Sequence, residues 1–104
     1  MDIERARELF AELQEYLWNH RTESLYHPYR HASDAVKCLS SGISEAEKAE
    51  AVRTYYRLLF PARGGLTDFG FWNEDFETRK ALNEPVLRIV GVLGEIVKME
   101  DFVD

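Results

Sequence analysis

From Val86 to Val97 the chain is apolar at almost every position, with Arg88 and Glu95 as the only charges. A helix built from this segment carries Val86, Leu87, Ile89, Val90, Val92, Leu93, Ile96 and Val97, leaving a narrow polar stripe of Arg88, Glu95 and Lys98. Such a helix needs cover on most sides. It is therefore expected to be either the central member of a helical bundle or an element shared with a second subunit. The run falls far short of the roughly 20 apolar residues that span a bilayer, so the cover must be protein, and no membrane segment is expected.

Three further stretches supply that cover. Ile3, Ala6, Leu9, Phe10, Leu13, Tyr16 and Leu17 recur at helical spacing from about Asp2 to His20, and Asp2 suits the positive end of the helix dipole as a cap. His27-Pro28 opens a second helix with an apolar stripe of Tyr29, Ala32, Val36 and Leu39, and Gly42 is expected to stop it in left-handed backbone. Ser44 and Glu47 form a Ser-x-x-Glu capping pattern at the start of a third helix. That helix turns Ala46, Ala49, Val52, Tyr55, Tyr56 and Leu59 inward and ends before Pro61. Asn73 or Asp75 can cap a stretch through Leu82, and Asn83-Glu84-Pro85 predicts a new helix or a sharp bend. With no strand-like alternation, the fold class is all-α: one domain over 1–104, a bundle of four to five helices. Leu13, Leu17, Val36, Val52, Tyr56, Leu59, Val90, Leu93 and Val97 are expected among its most buried residues.

Charge restricts the partners. Nineteen acidic against thirteen basic residues give a formal charge of −6, which repels nucleic acid and anionic lipid at long range and leaves a protein partner, including a basic one, as the expected class. A lone cysteine, Cys38, cannot form an intrachain disulfide, and Met-Asp-Ile-Glu-Arg lacks the basic start and apolar run of a signal peptide. A reducing cytoplasm is the expectation.

The connector from Phe60 to Trp72 is the most site-like segment, since it holds three glycines, a proline, an arginine and four aromatics between two helical regions. Arg63, Gly64 and Gly65 have the composition of an anion nest, with convergent backbone N–H groups and a guanidinium fork, but not the lysine and Ser/Thr of a phosphate loop. Asp68 can pair with Arg63, while Phe69, Phe71 and Trp72 either anchor the segment across one end of the bundle or line a surface for a ligand or partner. These seven residues form the candidate binding site, and a structural latch is the competing role.

Elsewhere the chemistry is thin. His27, His31, Asp34 and Cys38 carry metal-ligand side chains at intervals of four, three and four. A single helical row of them extends about 16 Å, so all four cannot converge on one ion; at most His27 with His31, or His31 with Asp34, could share one, with further ligands from elsewhere such as His20 or a second chain. No metal, cofactor or catalytic residue is therefore assigned. Cys38 lacks a presenting elbow and a matched base, and Glu74, Asp75 and Glu77 are what a helix N-terminus favours. The expected function is a small non-catalytic binding or regulatory module acting through protein–protein contact. An acidic inhibitor or immunity-type protein capping a basic partner is the alternative, and a small metal- or anion-binding enzyme-like protein is a further one. A homodimer through the last helix is also expected, with Leu87, Val90, Gly94 and Val97 on one face.

Overall fold

The computed structural model describes residues 1–20, 26–59 and 75–102, with side chains as far as 98. These residues form an all-α arrangement of four helices: α1 (Ile3–Asn19), α2 (Tyr26–Leu39), α3 (Glu45–Leu58) and α4 (Phe76–Phe102). Among them no helix is long and apolar enough to cross a membrane. The connector lies outside the described residues.

Local chemistry sets three of the helix starts. The Asp2 carboxylate accepts from the Arg5 backbone N–H at 3.0 Å. Ser44 Oγ accepts from the Glu47 N–H at 3.2 Å and donates to the Glu47 carboxylate, so the pair closes through the serine hydroxyl. Asp75 accepts from both the backbone N–H and the hydroxyl of Thr78, which holds its carboxyl below the usual range and leaves a charge at the positive end of α4. At the end of α2, Gly42 does not take left-handed backbone. Ser41 ends the helix instead, donating through both its hydroxyl and its N–H to the Cys38 carbonyl.

The bend or restart expected at Asn83-Glu84-Pro85 is absent, because α4 runs unbroken through Pro85. The proline takes away the donor for the Ala81 carbonyl and crowds the turn before it. Two side chains serve carbonyls in that region. The Tyr16 hydroxyl donates to the Leu82 carbonyl, and Asn83 Nδ2 donates to the Arg79 carbonyl at 2.8 Å. Asn83 is thus a helix-interior residue and not a cap.

The most apolar helix is not the central one. α1 packs against all three of the others, whereas α4 rests on α1 and α3. Ala6, Leu9, Phe10, Leu13 and Leu17 are fully buried along one stripe of α1. Ala32 and Ala35 of α2 are also fully buried, and small side chains let the α1–α2 pair approach closely. α3 contributes Val52, with Leu59 just beyond its end, and α4 contributes Val86, Ile89 and Leu93. Leu13, Leu17, Val52, Leu59 and Leu93 are buried as expected, but Val36, Tyr56, Val90 and Val97 are only half-buried at the margin of the core, and Ala46 is exposed. Ala35 and Ile89, one residue away from Val36 and Val90, take the central positions instead. The far side of α4 stays open: Leu87 is 69% exposed, and a side chain added at Gly91 would meet no atom within 4 Å.

Candidate functional site

The seven residues singled out by sequence, Arg63, Gly64, Gly65, Asp68, Phe69, Phe71 and Trp72, all lie in the stretch outside the described residues.

The histidine row runs along α2 with unequal exposure. His27 is exposed and stacks edge-on with Tyr26, with ring centroids 5.5 Å apart, while His31, Asp34 and Cys38 are half-buried. Asp34 sits 4.0 Å from the Arg30 guanidinium. His20 is placed apart from the row, its ring 4.2 Å from that of Tyr16 and its Nδ1 3.0 Å from the Tyr16 carbonyl oxygen. Among the described residues no three His, Cys, Asp or Glu side chains gather as a metal site.

Burial holds the His31 imidazole below its ordinary value of 6.5, with His27 and Arg30 adding to the effect and Asp34 opposing it. The fold thus prefers His31 neutral. Its contribution to stability is complete above the ordinary value and declines as the pH falls through that value toward the lower native one, because the unfolded chain takes up the proton first. We expect the urea midpoint to fall between about pH 7 and about pH 5, and His31→Gln to flatten that decline. An unchanged slope in the variant would show that other groups set the acid sensitivity.

A concave feature among the described residues lies where α2 ends against the outer side of α3. A shallow trough of about 520 Å³ is lined by Cys38 and Ile43 and, from α3, by Glu47, Glu50, Ala51, Thr54, Tyr55 and Leu58. The α3 members fall three and four residues apart, which places them along one side of the helix. Leu58 is 39% exposed and neighbouring Leu59 is fully buried, so the two leucines serve different surfaces. Burial raises the Tyr55 phenol above its ordinary value, helped by the nearby Asp34 and Cys38. It therefore enters the trough as a neutral hydroxyl. Glu50 is paired with Arg53 at 2.9 Å, and Glu47 with the Ser44 hydroxyl at 3.2 Å. The Cys38 thiol is free, on a helix whose next turn is closed by Ser41.

An apolar floor, a neutral phenol, a thiol and two carboxylates make a surface that can bind. Sequence reasoning missed it because the reading assigned α3 one inward stripe, and Tyr55 was counted there. The available signal was the second run, Ala51, Thr54, Tyr55 and Leu58, on a helix that already had its core residues. Comparison with protein-family models, curated proteins and solved structures returned no match for this chain.

Proposed function

We propose that the protein is a non-catalytic binding module that receives an apolar helical segment, flanked by basic residues, of a partner protein in the trough between α2 and α3. The observation carrying this reading is the trough itself, with Ile43, Ala51, Tyr55 and Leu58 as its apolar surface and Glu47 and Glu50 as its acidic members. Half-buried apolar side chains with exposed Leu58 beside carboxylates suit the apolar face of a helix with lysine or arginine at its edge. The formal charge of −6 favours the same sign of partner over long distances. An acidic inhibitor that caps a basic protein is the narrower form of this reading, and the charge balance supports it. A reducing cytoplasm suits Cys38, which remains a free thiol at the trough.

A photo-crosslinking residue at Thr54, compared with one at exposed Glu15 on α1, tests the proposal in the native cell. A defined adduct is expected from position 54 alone. Its basic protein component should bind the purified module, and Leu58→Asp should abolish that binding while leaving the helical circular dichroism unchanged. Equal adducts at both positions, or binding indifferent to Leu58→Asp, would refute the assignment of this surface.

A further inference from the structure

Beyond the trough, we propose that the outer side of α4 pairs with the same side of α4 in a second copy of the chain, antiparallel about a two-fold axis at Gly91. Glu84, Leu87, Gly91, Gly94 and Lys98 follow one another at intervals of three, four, three and four, the spacing of a coiled-coil seam. Glu84, Leu87, Gly91 and Lys98 are exposed, and Leu87 is the most exposed large apolar side chain among the described residues. Val90 and Val97, expected on this side from sequence, turn instead toward the core. The tight contact at Gly94 is made within the chain, since a side chain there would stand 2.8 Å from the Tyr56 hydroxyl.

Charge selects the second copy and its direction. Glu84 and Lys98 lie seven residues to either side of Gly91, so an antiparallel mate sets each glutamate against the other copy's lysine. A parallel mate would set glutamate against glutamate and lysine against lysine. Arg88 and Glu95 are placed almost as symmetrically, and Arg88 also meets Glu12 of its own chain. The seam is self-complementary, as a two-fold interface requires.

Shape agrees with charge. Leu87 is the knob, and the hole it enters is the open space over Gly91 of the other copy, edged by that copy's Glu95 and Lys98, with Gly94 already covered by Tyr56 of its own chain. From Glu84 to Lys98 the seam is about 21 Å long. That length places the contact at the small end of specific interfaces, so the pairing is weak and set by concentration.

Light scattering coupled to gel filtration of the full chain, from about 1 to about 100 µM, reads the result as a monomer–dimer shift. Leu87→Asp should weaken pairing about a hundredfold, because each dimer loses two central knobs and gains two buried charges. Glu84→Lys alone and Lys98→Glu alone should each weaken it. The double variant Glu84→Lys/Lys98→Glu should restore it, since reversal preserves every antiparallel pair. A wild-type chain that remains monomeric to the top of the range overturns the proposal, as does a dimer that survives Leu87→Asp. Failure of the double variant to recover while its circular dichroism is native overturns the antiparallel register. None of these residues lines the trough, so partner binding there can stand or fall separately.

Discussion

Phe10→Ala is expected to lower the free energy of unfolding by about 3 to 5 kcal/mol, the range for truncating a fully buried phenylalanine when the surroundings close only partly around the void. Phe10 is 0% exposed and sits on α1, the helix that touches every other helix, so the cavity opens at a position shared by the whole bundle. For a domain of this size each kcal/mol moves the thermal midpoint by about 4 to 8 °C, and the loss is a large part of a typical total of about 5 to 15 kcal/mol. Urea unfolding with linear extrapolation measures it, and Phe76→Ala is the control. Phe76 is 61% exposed at the start of α4, where truncation should change stability by about 0.5 kcal/mol or less. A small loss at Phe10 would mean that α1 is not the element around which the others pack.

Pro85→Ala should act in the opposite direction, stabilising the protein by about 1 to 3 kcal/mol. A proline inside a helix forfeits one backbone hydrogen bond and crowds the preceding turn, and alanine removes both defects. The gain comes from the N–H restored to the Ala81 carbonyl, and it stays below the full cost of an interior proline because α4 already runs unbroken through Pro85. Tyr16→Phe in the natural background should cost about 1 to 2 kcal/mol, as the half-buried Leu82 carbonyl loses its donor from α1. In the Pro85→Ala background that cost should be unchanged, because the restored N–H serves the Ala81 carbonyl and not that of Leu82. A smaller cost in the Pro85→Ala background would show that the Tyr16 bond compensates for the proline beyond joining α1 to α4.

The parts of the fold legible in sequence were those decided within one or two turns. Asp2, Ser44 with Glu47, and Asp75 cap helices through groups three residues away, so the pattern and the bond are the same observation. Pro85 was misread for the converse reason. Its local rule favours a helix start, but Val86, Ile89 and Leu93 are buried on the same helix, and α1 supplies a hydroxyl from far along the chain to the turn that proline disturbs. Gly42 looked like a left-handed stop until Ser41 was seen to occupy the Cys38 carbonyl. The position of a helix in the bundle was likewise not readable from how apolar it is. α4 has more apolar residues than one contact face needs, while α1 places a single stripe between its neighbours. The trough was illegible because α2 and α3 build it jointly, and Ile43 reaches it only through the turn between them. The candidate site of the connector, Arg63 to Trp72, rests on its composition.

The two side-chain links between α1 and α4 also bear on the order in which the chain assembles. Tyr16 bonds to Leu82 and Glu12 to Arg88, across 66 and 76 residues, whereas α1 with α2 and α2 with α3 are neighbours in sequence. Contacts between adjacent helices close short loops and form early, and those spanning most of a chain must wait for a far larger closure. On the ribosome, α1 can meet α2 and then α3 as each emerges. The bonds of its Tyr16 hydroxyl and Glu12 carboxylate to α4 wait until the polypeptide has grown past residue 88, and the bundle closes when α1 is at last joined by a helix made much later.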